Sequence, residues 1–263
     1  MSTTPAPTRI ADDALACIVH LTGRYRARIT RDAALLRRAQ ELRFEVFNRE
    51  LHEGLPESWA RGYDEDAFDA VCDHLIVDLP ETGEVVGTYR MQPAGAACDP
   101  PGLYTAAEFH LEGLADCLPS AVETGRACIR REHRNTRVLQ LLWQGLGSYM
   151  RVSGARYLFG CCSLTSRDPE DGLATARFLA AHGHLHPERS VTPRAGWECF
   201  PPGAAASPGP VAASVPPLFA SYLRIGTRIV GEPALDRVFG TIDFLALLDL
   251  ADLPEPARRR FLA

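Results

Sequence analysis

The sequence predicts a single α/β domain in which helices flank one mixed β-sheet. Segments with the two-residue period of strands alternate along the chain with segments of helical period, as expected for a layered α/β core. The 263 residues, 46% of them hydrophobic, suffice for one substantial core. The sequence contains no internal repeat that would indicate a second core. We therefore expect one domain over residues 21–252, a partly disordered tail at 1–20 and a short C-terminal tail at 253–263.

The first predicted elements are a strand, a helix and a hairpin. Residues 24–30 alternate as a strand, and Asp32 is placed to cap a helix whose apolar positions recur at helical spacing as far as Phe47. A polar, acidic loop follows. Residues 73–79 and 83–92 then form a predicted antiparallel hairpin around a Gly-containing turn.

The second half of the chain continues the alternation of strands and helices. Residues 121–130 are a predicted strand, and the helix over 137–154 ends on a C-capping Gly. The nearly continuous apolar run at 155–164 is typical of a strand buried on both faces. Another helix is predicted over 172–183. After a Pro-rich loop at about 201–217, helix and strand signals mix and leave the order of the last elements open.

Composition and charge exclude several classes of function. All 28 basic residues are Arg, so mechanisms that need a catalytic Lys are excluded. The net charge of -5 argues against nucleic acid as the main partner. The eight Cys lack paired ligand spacing and read as reduced cytosolic thiols, and no apolar run is long enough for a membrane span. No metal site is expected at His182, His184 and His186, which lack a matching carboxylate or thiol pattern.

The junction between the strand at 121–130 and the following helix is the most informative segment. Residues two apart share a face of a strand, which predicts Glu123 on one face and Arg126 on the other. The turn and the start of the helix carry four arginines: Arg130, Arg131, Arg134 and Arg137. Free N–H groups at a helix N-terminus favour an anion, so this junction suits a phosphate. The alternative is a solvated basic turn with a Glu–Arg pair.

The chain resembles bacterial ornithine-lipid synthases in seven segments that occur in the same order. These segments are 42–51, 73–91, 108–114, 122–134, 141–150, 157–164 and 216–236. Those enzymes are L-ornithine Nα-acyltransferases of the GNAT superfamily, often labelled hemolysin-like. The resemblance spans about residues 24–250 and implies a GNAT-like acyl-CoA N-acyltransferase fold with a mixed central sheet flanked by helices.

The same resemblance implies an activity and its partners. It implies transfer of a (3-hydroxy)fatty acyl group from acyl carrier protein to the α-amine of L-ornithine, giving lyso-ornithine lipid. The phosphopantetheine thioester of the acyl carrier protein is then a co-substrate, and no cofactor is bound. The implied location is cytoplasmic, with peripheral contact at the inner membrane through the lipid product.

The chain is also similar, more distantly, to the acyl-homoserine-lactone synthases. Their Arg-x-x-x-Phe motif is matched by Arg43 and Phe47, their hairpin arginine by Arg90, and their Glu-x-x-Arg motif by Glu123 and Arg126. Looser matches are Phe109, Asp66, Asp69 and Asp73. Relatives that use acetyl-CoA carry a Gly-rich pyrophosphate loop before the helix, whereas residues 134–138 contain no Gly. That difference favours a carrier-protein donor, which presents one phosphodiester and no adenosine diphosphate.

Amide formation from a thioester requires a neutral amine, an acceptor for its proton and a donor to the oxyanion. Glu123 is the candidate base, with a structural pairing to Arg126 or Arg43 as the alternative. Arg126 would hold that carboxylate ionised or orient substrate, since a guanidinium stays charged and cannot act as base. We expect backbone N–H groups at a splay after Cys128 to polarise the carbonyl.

The remaining candidates bind substrate. A charged group predicted near the acceptor comprises Arg43, Arg90, Asp69 and Asp73, with a buried ion-pair network as the equal alternative. The acidic residues expected to hold the δ-ammonium of ornithine are Asp64, Glu65, Asp66, Asp69 and Asp73. Phe47, Trp143 and Phe159 are candidates for an acyl channel, or for plain core. Cys161 and Cys162 lack a nearby base, so direct transfer is expected.

Three alternatives to this function stay open. In the first alternative, the acceptor is an amino acid other than ornithine. In the second, the protein is a signal synthase that acylates its acceptor and closes it to a lactone, as the acyl-homoserine-lactone synthases do. The segment 216–236, which matches the ornithine-lipid type, speaks against lactonisation. The third, a membrane-active protein, is disfavoured because the sequence has no basic amphipathic helix.

Overall fold

The structure of the protein is a computed structural model that describes residues 10–97, 100–206 and 215–261. Nine strands form the main sheet: β1 (Val19–Thr22), β2 (Tyr25–Thr30), β3 (Asp73–Leu79), β4 (Glu84–Pro93), β6 (Ala121–Ile129), β7 (Tyr157–Leu164), β9 (Arg228–Ile229), β10 (Ala234–Asp236) and β11 (Thr241–Asp249). Two short strands, β5 (Phe109–His110) and β8 (Thr192–Pro193), pair separately. The spatial order is β1-β2-β3-β4-β6-β7-β11-β10, with β9 beside β11. Only β6 and β7 run parallel, so the sheet is mixed as predicted.

Eight α-helices cover the sheet within the described ranges. They are α1 (Asp12–Ala16), α2 (Ala33–Phe44), α3 (Ser58–Arg61), α4 (Thr105–Glu108), α5 (Thr136–Ser153), α6 (Pro169–Ala181), α7 (Pro217–Arg224) and α8 (Glu255–Phe261). The backbone after α2 continues as a π-helical turn over Glu45–Glu50, where the sequence predicted regular α-helix. No helix in the described part of the chain is long and apolar enough to cross a bilayer.

Local capping signals explain where the main helices begin and end. The carboxylate of Asp32 accepts a hydrogen bond from the Leu35 N–H at 2.9 Å, which caps α2 as predicted. Asn135 caps α5 in the same way. Helix α5 ends at Gly154, whose φ of 67° is the left-handed conformation that glycine adopts readily.

Two helical layers enclose the sheet. Helix α5 packs on the face that carries Leu75 and Val77 of β3, and α2 packs on the face that carries Ile76. This alternation along β3 is the two-residue period of a strand buried on both faces. A further apolar cluster joins α6 and α7 to β11.

Parts of both predicted tails belong to the folded domain. Strand β1 pairs with β2, and Ile10, Leu15 and Ile18 contribute to the main core. At the other end, α8 packs against α5 and Phe261 is buried. Residues 1–9 and 262–263 of these tails, like 207–214 of the Pro-rich loop, lie outside the described residues.

Strands β6 and β7 diverge in the middle of the sheet. Their parallel ladder joins Ala121 to Tyr157 and ends where Glu123 pairs with Phe159. At the point of divergence, a Cβ added to Gly160 would lie 2.1 Å from the Thr124 carbonyl oxygen, so only glycine fits. The splay therefore opens directly after Glu123, five residues earlier than the sequence suggested.

Candidate active site

The splay between β6 and β7 opens into a cavity of about 680 Å³. Much of its wall is apolar and comes from α5, β7, α7 and β11: Leu139, Leu146, Leu158, Leu218, Tyr222, Ile225 and Leu248. The three aromatic residues predicted for an acyl channel, Phe47, Trp143 and Phe159, all lie in this wall. A large apolar space with a few polar groups is typical of a small-molecule site.

A β-bulge places Glu123 and Arg126 on the same face of β6. Across the ladder to β4, Gly125 lies opposite Arg90 while Cys128 lies opposite Thr88, so β6 has one extra residue between them. Arg126 occupies this bulge with a φ of 51°, in the left-handed region. Strict alternation predicted opposite faces for Glu123 and Arg126, and that expectation is wrong because the bulge shifts the phase of the strand.

Three arginines and three aspartates form a closed ring of ion pairs below the cavity. Its members are Arg43, Arg90, Arg126, Asp64, Asp66 and Asp69, and we call this group the Arg/Asp ring. Each guanidinium contacts two carboxylates and each carboxylate contacts two guanidiniums, at N–O distances from 2.5 to 3.2 Å. The charges balance within the ring, and it connects α2, the acidic loop, β4 and β6.

The ring is buried, which determines how its carboxylates ionise. Burial alone would raise the pKa of Asp69, yet the hydrogen bonds and charge of Arg43 and the charge of Arg90 hold that pKa well below its usual range. Arg43 is fully buried, whereas Arg90 and Arg126 also line the cavity. The predicted ion-pair network is thus present, and two of its arginines give the cavity a cationic wall.

Two residues predicted to share this site lie elsewhere. Asp73 faces α5, where it accepts hydrogen bonds from Arg31 at 2.5 Å and from the Tyr149 hydroxyl at 2.6 Å. Strand alternation causes this placement, because the neighbouring Leu75 of the same face packs in the α5 core. Glu65 forms an ion pair with Arg37, in which Oε1 lies 3.5 Å from Nη2. Together with the ring, these pairs occupy all five carboxylates that were expected to hold the δ-ammonium, so these five residues offer no surplus of negative charge.

Glu123 lines the cavity where the splay begins, and backbone groups hold its carboxylate. Its Oε1 accepts hydrogen bonds from the Thr105 N–H at 2.8 Å and from the Thr105 hydroxyl at 2.6 Å, and its Oε2 accepts one from the Tyr104 N–H at 2.9 Å. Burial raises the pKa of Glu123, while the bonds from Thr105 and Tyr104 oppose that rise. The carboxylate therefore positions the start of α4 and keeps one unused acceptor site on Oε2.

The four arginines predicted to receive a carrier protein differ in their surroundings. Arg130 pairs with Glu84 at 3.0 Å, and Arg134 forms a bidentate pair with Glu50 at 2.6 and 2.7 Å. The other two are exposed: Arg131 and Arg137. Among the four, Arg134 is the one that also lines the cavity.

The N-terminus of α5 offers fewer free donors than the sequence suggested. The side-chain oxygen of Asn135 accepts from the Arg137 and Val138 N–H groups, at 3.1 and 3.2 Å. An anion at this end of α5 would therefore meet mainly the arginine side chains and the N–H of Thr136.

Sequence reasoning missed three buried carboxyl groups at the cavity: Glu53, Glu108 and Asp243. Glu53 and Asp243 line the cavity directly, and Glu108 contacts Asp243. A signal was present in Asp243, an acidic residue in the middle of an otherwise apolar strand. The signal went unused because the sequence left the order of the C-terminal elements open.

The cysteines near the cavity are protonated thiols. Burial raises the pKa of Cys128 to about 12 and raises the pKa values of Cys161 and Cys162 as well. A nucleophilic thiolate needs the opposite shift, so these surroundings favour direct transfer over an acyl-enzyme.

Three groups with ligand atoms within 4.8 Å of one another could hold a metal ion: Glu108, Cys161 and Asp243. The sequence predicted no metal site, and it considered only Cys161 of these residues, as a possible nucleophile. Within the described ranges, none of the three histidines at 182, 184 and 186 belongs to a candidate metal site. His186 instead accepts hydrogen bonds from the N–H groups of Glu188 and Arg189.

Comparison with known proteins identifies the family. An acetyltransferase (GNAT) domain model matches residues 42–144. An L-ornithine N(alpha)-acyltransferase of Rhizobium meliloti (strain 1021) is 33% identical over 255 residues, which cover 92% of this chain and 84% of that protein. The enzyme of the same name from Brucella abortus (strain 2308) is 32% identical, covering 89% of this chain and 88% of that protein.

A solved structure gives a further comparison. FeeM, an N-acyl amino acid synthase from uncultured soil microbes, is 13% identical, with a TM-score of 0.48 over 90% of this chain and 99% of that one. The domain match covers the end of α2, the loop that follows it, the β3–β4 hairpin, β6 and the first half of α5. These segments carry the Arg/Asp ring and one wall of the cavity. The identity to the ornithine enzymes extends over nearly the whole chain. The chain belongs to the L-ornithine N(alpha)-acyltransferase family of GNAT acyltransferases.

Proposed function

We propose that this enzyme transfers a (3-hydroxy)fatty acyl group from the phosphopantetheine thioester of an acyl carrier protein to the α-amine of L-ornithine. The products are lyso-ornithine lipid and the free carrier thiol. The observation that carries the proposal is the cavity at the β6–β7 splay, which combines an apolar interior with Glu123, Arg90 and Arg126 in one wall.

The donor would enter along the splay. Beyond Glu123 the edge of β6 no longer pairs with β7, and the amides of an extended pantetheine chain can hydrogen-bond to such an edge. The acyl chain would then occupy the apolar part of the cavity. Exposed Arg131 and Arg137, with Arg134 at the cavity, supply positive charge for the phosphate and for an acidic carrier. The thioester arrives as a co-substrate, and no bound cofactor is required.

The chemical step forms one C–N bond and breaks one C–S bond. The neutral α-amine attacks the thioester carbonyl, and backbone N–H groups of the open β6 edge stabilise the oxyanion. Glu123, through the free acceptor site on Oε2 or a water held there, takes the amine proton. The thiolate of the carrier leaves and is protonated. Arg126 shares the face of Glu123 through the bulge and adds positive charge to that wall.

Two observations support ornithine as the acceptor: the names of the relatives and the positive charge of the cavity wall. Arg90 and Arg126 suit the α-carboxylate of an amino acid, since guanidinium groups bind carboxylates well. The product would carry one acyl chain and a charged head. We therefore expect the enzyme to work in the cytoplasm, in peripheral contact with the inner membrane that receives its lipid.

The test is a purified reaction with separate donors and acceptors. The enzyme is given 3-hydroxyacyl or acyl carrier protein, or the matching acyl-CoA, together with ornithine, lysine, glycine, glutamine or S-adenosylmethionine. Mass spectrometry then locates the amide. We expect Nα-acyl-ornithine from the carrier-bound donor. Preference for glycine or glutamine would overturn the ornithine assignment, and a lactone from S-adenosylmethionine would make the enzyme a signal synthase.

A further inference from the structure

Three carboxyl groups from distant parts of the chain meet at one wall of the cavity. Glu53 follows the π-helical turn, Glu108 ends α4 and Asp243 lies in β11. Glu53 is 8% exposed, Glu108 1% and Asp243 3%. Side-chain oxygens of Glu108 and Asp243 lie within 4.8 Å of one another, and the charge of Asp243 acts on Glu53. We call these residues the carboxyl trio.

The carboxyl trio differs from the Arg/Asp ring in how its charges are compensated. Every carboxylate of the ring contacts two guanidiniums, whereas no salt bridge to the trio exists in the part of the chain that the structure describes. One oxygen of each trio member is buried without a hydrogen-bond partner: Glu53 Oε2, Glu108 Oε1 and Asp243 Oδ1. Uncompensated buried carboxyls are costly, which indicates a site that a cation completes.

The protonation of the trio fits the same conclusion. Burial and the charge of Asp243 raise the pKa of Glu53 to about 7, against the effects of the Thr165 hydrogen bond and the charge of Arg126. Burial and the charge of Asp236 raise the pKa of Asp243 to about 6, and the pKa of Glu108 is raised well above its usual range. A bound cation would oppose these shifts and draw the carboxyls into the ionised form.

The number of free acceptors matches one kind of cation. A primary ammonium has three N–H donors, and each trio member has one unpartnered oxygen. Glu53 and Asp243 lie in the cavity wall, and Glu108 lies next to Asp243. Glu53 and Asp243 face the same cavity as Glu123, Arg90 and Arg126. An amino acid with a side-chain amine could thus place its carboxylate and α-amine at the arginine wall and its second amine at the trio.

We propose that Glu53, Glu108 and Asp243 form the subsite for the side-chain ammonium of the amino-acid acceptor. The inference rests on the proposed function and locates its specificity. An ammonium held by carboxylates stays protonated and cannot attack the thioester, so the acyl group goes to the α-amine. This subsite takes the place of the five carboxylates at positions 64, 65, 66, 69 and 73, which are already paired.

The experiment compares two acceptors that differ only in the second amine. Ornithine and norvaline (2-aminopentanoate) are offered to the wild-type enzyme with the same acyl carrier protein donor. Variants Glu53→Gln and Asp243→Asn remove charge with little change of shape, and Glu57→Gln, an exposed carboxyl on the same loop as Glu53, is the matched control. Circular dichroism checks folding, and calorimetry measures acceptor binding independently of turnover.

We expect wild-type enzyme to favour ornithine over norvaline by about 10- to 100-fold in kcat/KM, the usual range for hydrogen bonds to a charged group. Glu53→Gln and Asp243→Asn should lose this preference, mainly through a higher KM for ornithine, while Glu57→Gln should keep it. Equal use of both acceptors by wild type would overturn the subsite and leave the acyltransferase intact. Activity with neither acceptor would instead contradict the proposed function. A stoichiometric metal ion whose removal by a chelator abolishes the ornithine preference would reassign the trio as a metal site.

Discussion

Glu123 and Arg126 are three residues apart on one strand and yet face the same side of the sheet. The bulge between Gly125 and Cys128 makes this possible, because Arg126 takes a left-handed backbone conformation and shifts the phase of β6. Arg126 thereby closes the Arg/Asp ring through Asp64, at the same wall where Glu123 lines the cavity. One local irregularity connects a structural network to the proposed catalytic group.

The first prediction concerns Glu123 as base. Glu123→Gln should lower kcat by about 10²- to 10⁴-fold, because the proton acceptor is lost. In wild type kcat should fall as pH decreases through the pKa of Glu123, which burial places above that of an exposed glutamate, and this limb should vanish in the variant. The measurement is the pH dependence of kcat with saturating acyl carrier protein.

A matched variant separates catalysis from anchoring of Glu123. Thr105→Val removes one of the three hydrogen bonds to Glu123 and should cost about 1 kcal/mol of stability with little change in kcat. If Glu123→Gln and Thr105→Val lost stability alike and the folded Gln variant kept wild-type turnover, Glu123 would be an anchor only.

The second prediction concerns the energy of the Arg/Asp ring. Arg43→Met should destabilise the protein by about 3–5 kcal/mol, because it leaves Asp64 and Asp69 with one cation fewer in a buried site. Arg49→Gln is the control, since its pair with Glu45 is exposed and should contribute less than about 0.5 kcal/mol. Urea unfolding at pH 7.5 measures both values, and equal losses would show that the ring contributes no more than a surface pair.

The third prediction concerns pH and the stability cost of Glu53. Its folded-state pKa of about 7 is raised above its unfolded value, so the native state binds the extra proton between pH 4.5 and pH 7. Stability should therefore fall as pH rises through this window and level off above it. Glu53→Gln should remove the dependence and exceed wild type by about 1–3 kcal/mol at pH 8.5, with little difference at pH 5.

Urea unfolding of both proteins at pH 5 and pH 8.5 checks this expectation. If the stability of Glu53→Gln depended on pH as steeply as that of wild type, a group other than Glu53 would bind the extra proton. Saturating ornithine should reduce the advantage of the variant at pH 8.5, because only wild type gains the bound ammonium.

The fourth prediction concerns carrier docking by the arginine turn. The double variant Arg131→Gln/Arg137→Gln should raise KM for acyl carrier protein several-fold at low salt and flatten its salt dependence. Arg130→Gln should have a smaller effect, because Glu84 already occupies that guanidinium. Steady-state kinetics with acyl carrier protein and with acyl-phosphopantetheine provide the comparison. If the double variant lost the same fraction of kcat/KM with both donors at every salt concentration, these arginines would not dock the carrier protein.

Much of the fold was predictable because its signals are local. Two-residue and helical periods located β2, α2, the β3–β4 hairpin and α5, and the caps at Asp32 and Gly154 follow from single residues. The apolar run at 155–164 located β7, although its burial is incomplete, since Ser163 is exposed. The order of the last elements was not predictable, because β11 joins the sheet beside β7, a strand far earlier in the sequence, and β9 and β10 then pair with β11.

The sequence by itself determined which residues carry charge and which segments are strands or helices, and its motifs determined the family. Only the tertiary structure decided which charges meet. Glu53, Glu108 and Asp243 form one group because α4, β11 and the chain after α2 converge on the splay. Asp73, although close to Asp69 in sequence, is turned to the opposite face. The physical reason is that periodicity reports the environment of each residue along its own element, whereas ion pairs and shared protons depend on distances between elements.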